Sequence, residues 1–406
     1  MSQTETVAAS RAGAAIAAAT VFSLPLGSIY AFSVLIGPLE RELNASRSDL
    51  ASVFGLSVIF FTIGSNVAPR LFGLISGPLL VALSAAVSAL GVLVAALAGT
   101  YVWLAVGYGV LFAFGGGVAY ITAQQTVNAT AIRRPGLVNG YLVSLFPAGA
   151  MLAAMAFGWA TERYDVSTTL TALAAVVAVC GAVATVFTAR SGVRLTRPRR
   201  PTSAAGYRGG SEGGGPPRAV FWKLFLLFTC AASAGLMVLS QAVVILEAYG
   251  VGKSVALAAT TGITAVVAAA RLGGGFLVDR LPVPFVGAAA QTFALAGAIM
   301  LTLLPKPEMA IVGLGMIGVG YGLVSGITVG GVALYWPKSL FGHISSRMYI
   351  AWCLAALSLP VVAAKLFDAT GAYTSAIILA GAANLCGVLV GATLPRQTSV
   401  ASPRPA

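Results

Sequence analysis

Twelve long apolar runs dominate this chain of 406 residues. Each run spans about twenty residues or more, and short polar segments separate the runs. A helix of roughly 20 apolar residues crosses the hydrocarbon core of a bilayer, whereas one soluble core could not bury twelve such runs. The sequence therefore predicts an all-α integral membrane protein with twelve transmembrane helices. The predicted spans lie near residues 12–39, 49–69, 73–98, 101–128, 137–160, 168–189, 219–248, 255–278, 283–304, 308–335, 345–367 and 372–394.

Charged residues make up 9% of the chain, far below the roughly 25% of soluble proteins. The formal net charge of +13 does not indicate nucleic-acid binding, because Lys and Arg lie between apolar runs rather than on one polar face. The four cysteines lie inside apolar runs without CxxC spacing, which favours buried thiols over a disulfide frame or a metal site. We predict no cofactor, no metal and no nucleic-acid partner.

Lys and Arg concentrate on the side of the predicted membrane that holds both termini and the central polar segment. The positive-inside rule assigns that side to the cytoplasm. The first run, from about Ala12 to Pro38, is too long for the apolar core of a signal peptide, so we interpret it as the first span. We expect a multi-pass protein of the cell (inner) membrane that has both termini cytoplasmic and functions as a monomer.

Residues 191–217 read SGVRLTRPRRPTSAAGYRGGSEGGGPP and show no apolar period. This composition predicts a disordered cytoplasmic linker. The linker separates a six-helix half at 1–190 from a second half at 218–395, which a cytoplasmic tail at 396–406 follows. Residues recur between the halves at separations of 206 to 209 positions, which indicates a duplicated unit with a site between the halves. The recurring pairs are Gly64 and Gly273, Gly107 and Gly313, and Tyr141 and Tyr349.

A GxGxxG pattern occurs at Gly313, Gly315 and Gly318. A dinucleotide fingerprint needs a preceding strand, a following helix and a downstream acidic residue, whereas this pattern lies within an apolar run. Close packing between helices is the better interpretation. The chain also lacks HExxH and GxSxG motifs and paired carboxylates within a span, so we do not expect an enzyme.

Arg271 lies inside the predicted eighth span, in the segment AARLGGGFLVDR. A guanidinium in the membrane costs at least ~2.5 kcal/mol, so it usually has a partner or a wet cavity. One interpretation is that Arg271 binds an anionic substrate with its bidentate fork. The other is that it pairs with a helix carbonyl or with Asp279. We favour the substrate role, because Asp279 lies two turns away and already neighbours Arg280.

Aromatic and amide side chains recur on the spans that should line a central cavity. As a set beside one buried arginine they suit a small organic anion, since rings shape a pocket while hydroxyl and amide groups orient a carboxylate. The candidate substrate-binding residues, besides Arg271, are Tyr30, Tyr120, Phe146, Tyr321, Tyr349, Trp352, Gln124 and Gln241.

Four segments from both halves carry a family resemblance. They are GSIYAFSVLIGPLEREL at 27–43, YGVLFAFGGGVAY at 108–120, ARLGGGFLVDR at 270–280 and FGHISSRMYIAWCLAALSLP at 341–360. With them the chain resembles the major facilitator superfamily and, within it, the oxalate/formate antiporter and monocarboxylate porter families. The resemblance implies alternating access with the substrate held between the halves. It also implies that the family's eighth-span arginine falls on Arg271.

Three departures from those families narrow the expected substrate and coupling. Oxalate carriers have a second cation in the eleventh span, where this chain has Trp352, so a dicarboxylate would be poorly neutralised. Lactate carriers have an acid four residues before the arginine, where this chain has Val267, which argues against that route of proton coupling. The loop after the second span, GSNVAPRLFG, lacks the acidic residue that is usual there in the superfamily, whereas the segment GGFLVDR in the second half keeps it as Asp279. Asp279 and Arg280 are expected to form a conformational latch.

Three functions stay open at this point. The first is a secondary transporter of a monocarboxylate, working by uniport, exchange or proton symport. The second is an exporter of hydrophobic drugs or metabolites with the same fold, which would rely on aromatic residues and be indifferent to Arg271. The third is a membrane receptor or scaffold without transport.

Overall fold

The computed structural model describes residues 3–130, 132–196 and 217–396, and most of these residues lie in helices. The first eight α-helices are α1 (Gln3–Leu26), α2 (Phe32–Leu43), α3 (Arg47–Leu71), α4 (Gly77–Ala96), α5 (Tyr101–Leu104), α6 (Ala113–Ala129), α7 (Pro135–Thr161) and α8 (Val166–Ser191). The others are α9 (Pro217–Ala248), α10 (Lys253–Val278), α11 (Val283–Leu303), α12 (Pro307–Tyr335), α13 (Phe341–Ala356), α14 (Leu359–Thr370) and α15 (Thr374–Ala392).

These helices supply twelve segments long and apolar enough to cross a membrane in the described part of the chain, which confirms the predicted number. Three of the segments are interrupted. A 3-10 turn at Gly27–Ala31 joins α1 to α2, a π-helical stretch at Ala105–Phe112 joins α5 to α6, and a break at Ser358 separates α13 from α14. Interrupted spans are tolerated where protein surrounds the irregular backbone.

Local sequence signals explain where several helices begin and end. Ser46 and Asp49 form a capping box at the start of α3, with the Asp49 amide donating to Ser46 Oγ at 3.1 Å. Asp165 caps α8 by accepting the Thr168 amide at 2.6 Å. Gly192 ends α8 with a φ of 62°, which glycine adopts without steric cost.

The outer surfaces of the helices are apolar. Leu83 and Leu90 on α4 and Val179 on α8 are exposed, Leu90 by 54%. Side chains of this kind at such exposure would be unfavourable in water but suit contact with lipid chains. The surface therefore agrees with the membrane assignment.

Small residues bring the helices together. A side chain at Gly313 would approach Gly297 O on α11 to 2.9 Å, and one at Gly318 would approach Val267 on α10 to 3.0 Å. Lipid gives little hydrophobic force between helices, so close backbone packing becomes the main attraction. These contacts confirm the packing interpretation for two glycines of the GxGxxG pattern, whereas Gly315 faces open space.

The helices form two compact units. The first unit holds Met1–Arg133, Leu142–Pro198 and Lys338–Cys353. The second unit holds Arg134–Tyr141, Arg199–Pro337 and Leu354–Ala406. Relative to the two predicted halves, each unit takes one short segment from the other half of the sequence. Most of the predicted linker, at 197–216, and of the tail, at 397–406, lies outside the described residues.

Candidate functional site

The structure distributes the predicted site residues over both units. The first unit holds Tyr30, Tyr120, Gln124, Phe146, Tyr349 and Trp352, and the second holds Gln241, Arg271, Tyr321, Asp279 and Arg280.

The predicted rings of the first unit pack around Phe61 on α3, a residue that the sequence analysis missed. The Phe61 ring centroid lies 5.6 Å from that of Tyr120, 5.5 Å from Phe146, 6.0 Å from Tyr349 and 6.1 Å from Trp352. Most of these pairs meet edge to face, the arrangement that brings the positive edge of one ring onto the negative face of the next. We call these five residues together with Tyr30 the ring cluster.

Tyr30 reaches the ring cluster through the break in the first span. Its ring centroid lies 6.3 Å from that of Phe146 and 6.0 Å from that of Trp352. The 3-10 turn that carries Tyr30 is held by Tyr108, whose hydroxyl donates to the Ser28 carbonyl at 3.0 Å. The irregular turn thus fixes the position of one predicted site residue.

A short chain of polar groups runs through the ring cluster. Gln124 Nε2 donates to the Tyr349 hydroxyl at 3.3 Å, and that hydroxyl donates to the Tyr120 hydroxyl at 2.7 Å. Gln124 is fully buried on α6, and its Oε1 has no hydrogen-bond partner within the described part of the chain. The cluster can therefore offer hydroxyl and amide groups as well as ring faces.

Arg271 forms the centre of the predicted site residues in the second unit. It is 7% exposed, and its Nη2 donates to the Tyr321 hydroxyl at 3.2 Å. Its Cζ lies 5.3 Å from the centroid of the Tyr321 ring, within the range of a cation–π contact. Tyr321 in turn packs against the bare backbone of Gly235 on α9. Helices α9 and α12 thus position the tyrosine that accepts this hydrogen bond from α10.

Asp279 is engaged elsewhere. Its Oδ1 accepts the Gly136 amide and its Oδ2 accepts the Leu137 amide, both at 2.8 Å, at the N-terminus of α7. A helix N-terminus has free amide groups and a partial positive charge, so it binds a carboxylate well. The alternative in which Asp279 neutralises Arg271 is therefore not the arrangement that the structure shows.

Burial and the neighbouring groups have opposite effects on the pKa of the Asp279 carboxyl. Burial raises the pKa of Asp279 above its usual value, while the two α7 amides and the charges of Arg134 and Arg280 act to lower this pKa. Arg280 itself lies over the Phe276 ring, with Cζ 3.9 Å from the centroid.

Comparison of the sequence and of the helical architecture with known proteins gives the same family. The model of the Major Facilitator Superfamily matches residues 12–360. The chain belongs to the major facilitator superfamily. Its twelve spans and its two pseudo-symmetric halves are those of the major facilitator fold.

Solved structures similar to this facilitator include two transporters. One is the proton:xylose symporter XylE bound to 6-bromo-6-deoxy-D-glucose, with 12% identity, a TM-score of 0.71, and coverage of 94% of this chain and 95% of that chain. Another is FucP in the outward conformation, with 14% identity, a TM-score of 0.68, and coverage of 94% and 98%. At these identities the likeness concerns the fold alone. No curated protein matches the chain.

A second side chain besides Asp279 caps the start of a helix that is distant in the sequence of this facilitator, and the sequence did not indicate it. Gln125 on α6 donates from Nε2 to the Lys338 carbonyl at 2.9 Å and accepts the Gly342 amide on Oε1 at 2.6 Å. Lys338 Nζ donates to the Thr130 carbonyl at 2.6 Å. Gln125 therefore caps the start of α13 without charge, as Asp279 caps the start of α7 with a carboxylate. The related signal in the sequence was the loop after the second span, which lacks the acid that Asp279 supplies in the second half.

The predicted site residue Gln241 makes a backbone contact. Its Nε2 donates to the Pro360 carbonyl at 2.6 Å, which ties α9 to the first turn of α14. Its Oε1 is buried and has no hydrogen-bond partner among the described residues. The amide nitrogen of Gln241 thus joins two helices, and its amide oxygen is the atom that could accept a hydrogen bond from a ligand.

Proposed function

We propose that this facilitator is a secondary active transporter of a small organic anion, a monocarboxylate, and that it works by alternating access. The observation that carries the proposal is the buried guanidinium of Arg271 inside a membrane span, where it donates a hydrogen bond to Tyr321 on the neighbouring helix. Buried ionisable residues in membrane spans are costly, and they mark substrate or ion pathways.

The chemistry of the Arg271 site favours a carboxylate. A guanidinium presents a planar fork that matches the two oxygens of a carboxylate, and it keeps its charge at any physiological pH. Nη2 of this guanidinium donates to the Tyr321 hydroxyl, and a guanidinium carries five N–H donors in all. A bound monocarboxylate would neutralise the one positive charge and lower the cost of burying it.

The resemblance to the oxalate/formate and monocarboxylate porter families supports the same class of substrate. Trp352 occupies the position of the second cation of oxalate carriers, and it lies in the uncharged ring cluster. We propose accordingly that a monovalent anion is preferred to oxalate. Asp279 and Arg280 form the proposed latch, and the cytoplasmic termini and the inner-membrane location belong to the same proposal.

A sugar is the second candidate substrate. The ring cluster supplies apolar faces together with the hydroxyls of Tyr120 and Tyr349 and the amide of Gln124, groups that can bind a polyol without any charge. A sugar transporter would need the ring cluster and would be indifferent to Arg271. An exporter of hydrophobic compounds would share that indifference.

The test is uptake by purified protein in liposomes. The labelled panel contains formate, acetate, lactate, pyruvate, oxalate, D-xylose, L-fucose and one cationic drug. We expect saturable exchange of monocarboxylates and weak exchange of oxalate. Exchange of a sugar or a drug without carboxylate exchange would refute the proposal.

Substitution of Arg271 makes the test specific. Arg271→Gln should raise KM for the monocarboxylate by about 30-fold or more, the usual cost of removing one partner of a buried charge pair. Arg271→Lys should recover part of this loss, since it keeps the charge and loses the fork. Arg163→Gln removes a half-exposed arginine and should change nothing. Thermal unfolding of each variant checks that it is folded.

A further inference from the structure

A close backbone contact in the first unit marks Phe61. On α6, a side-chain carbon at Gly117 would overlap the carbonyl oxygen of Phe61 and would lie 2.8 Å from the amide nitrogen of Ser65. Glycine at position 117 therefore lets α6 lie directly on the backbone of α3 at the level of Phe61.

The second unit repeats this contact at Arg271. On α12, a side-chain carbon at Gly326 would overlap the carbonyl oxygen of Arg271 and would lie 2.8 Å from the amide nitrogen of Gly275. Each of these three residues follows its counterpart in the first unit by 209 or 210 positions. The same helix crossing thus occurs in both units, with arginine in one and phenylalanine in the other.

A neighbouring contact gives the same register. Gly64 on α3 packs on the Phe114 carbonyl, and Gly274 on α10 packs on the Leu323 carbonyl. The repeat counterpart of Gly64 by this contact is therefore Gly274, and the pairing with Gly273 predicted from the sequence is wrong by one position. The separations are again 210 and 209 positions. Two glycine contacts within the same helix crossing therefore agree that Phe61 is the repeat counterpart of Arg271.

The ring cluster around Phe61 contains no charged side chain. Phe61 is 5% exposed, and its ring contacts four of the five other residues of the ring cluster. The cluster contains rings, two paired hydroxyls and the Gln124 amide. A carboxylate moved against such groups would lose its hydration without gaining a counter-charge.

We propose that Phe61 is a specificity-determining residue, which contacts the substrate and excludes a second carboxylate by presenting a ring where the repeat has a guanidinium. This inference rests on the proposed function and deepens it. A cation introduced at position 61 would supply the counter-charge that a dicarboxylate lacks in the wild type.

The experiment compares oxalate with acetate uptake in liposomes for the wild type, Phe61→Arg and Phe61→Lys. We expect the oxalate-to-acetate ratio to rise by about ten-fold or more in both cationic variants, in line with one added charge-assisted contact. Folded cationic variants with an unchanged ratio would overturn the inference.

A neutral variant keeps the inference testable if both cationic variants misfold. Phe61→Leu should raise KM for acetate about three-fold or more, because the substrate loses contact with the ring. Phe157→Leu, at another buried phenylalanine of the first unit, should leave KM unchanged. An unchanged KM in Phe61→Leu refutes the role of Phe61. Absence of any carboxylate uptake by the wild type refutes the proposed function itself, so the two failures are distinguishable.

Discussion

At the scale of single residues, the position of Arg271 depends on a glycine one helix away. The Tyr321 ring packs on Gly235, where a side-chain carbon would overlap the tyrosine Cβ and Cγ atoms. The other side of Tyr321 receives the hydrogen bond from Arg271. Gly235 therefore acts on the proposed anion site through Tyr321.

Gly235→Ala should displace the Tyr321 ring and with it the Arg271 fork. Overpacking a buried site costs roughly 1–3 kcal/mol, so we expect a lower Tm and a KM for the monocarboxylate several-fold above wild type. Gly315→Ala, on α12 with no heavy atom within 4 Å of the new carbon, is the matched control. If Gly235 acts through the Tyr321 hydroxyl, then Tyr321→Phe should raise KM and largely remove the further effect of Gly235→Ala on KM. Fully additive effects on KM would contradict this route.

Residue type decided which site residues could be predicted from the sequence. Arg271 stands out because a charge in an apolar run is expensive and therefore conspicuous. Phe61 does not, since a phenylalanine in such a run is ordinary, and its central place in the ring cluster depends on which helices pack together. Gln125 escaped for the same reason: its two bonds join segments more than 200 positions apart.

At the scale of helices, two aspartates cap N-termini in opposite electrostatic settings. Asp279 is half-buried against α7, and burial raises the pKa of this carboxyl despite its two amide donors. Asp165 is exposed at the start of α8, and its hydrogen bonds with the Thr168 hydroxyl and amide lower its pKa. The two caps should therefore respond to pH with opposite sign.

Thermal unfolding of Asp279→Asn between pH 4 and 7 tests the first sign. A carboxyl whose pKa is raised in the folded state binds its proton more tightly there than in the unfolded chain, so its contribution to stability falls as pH rises through that range. The Tm of the wild type minus that of Asp279→Asn should decrease with rising pH, by on the order of 1–2 °C.

Asp165→Asn is the matched control, since asparagine also caps a helix and the substitution removes the charge alone. A lowered pKa contributes stability that is present at high pH and lost on acidification. The Tm difference between wild type and Asp165→Asn should therefore increase with rising pH. Equal slopes for the two variants would contradict the burial argument for Asp279.

Helix boundaries were predicted best where the apolar period ends in a charge or a cap, and worst where the backbone is irregular. The third span was predicted from residue 73, whereas α4 begins at Gly77, because Gly73 adopts a φ of 76° and the chain turns there. The 3-10 turn in the first span and the π-helical stretch before α6 lie within apolar runs. A hydropathy pattern does not register such changes in backbone geometry. The 3-10 turn nevertheless positions Tyr30.

At the scale of the whole molecule, neither compact unit is made from one continuous half of the chain. The first unit includes Lys338–Cys353 from the second half of the sequence, with Tyr349 and Trp352 of the ring cluster. The second unit includes Arg134–Tyr141 from the first half, with both amides that bind Asp279. Each half of the sequence thus completes the unit of the other.

Splitting the chain inside 197–216, the central part of the predicted linker, tests this dependence. The two fragments expressed together should copurify and retain most of the wild-type uptake, because a Gly- and Pro-rich linker is expected to contribute reach rather than packing. Each fragment alone should be unstable, since it lacks a segment that its own compact unit buries: the first would lose the partners of Phe61, and the second would leave the Asp279 carboxylate without its amide donors. Copurification, thermal unfolding and liposome uptake of the single and paired fragments give the answer. An isolated first fragment that unfolds at the same Tm as the intact chain would show that the first unit is stable without residues 338–353. The ring cluster would then form only after the two fragments assemble, and the first unit would not need it in order to fold.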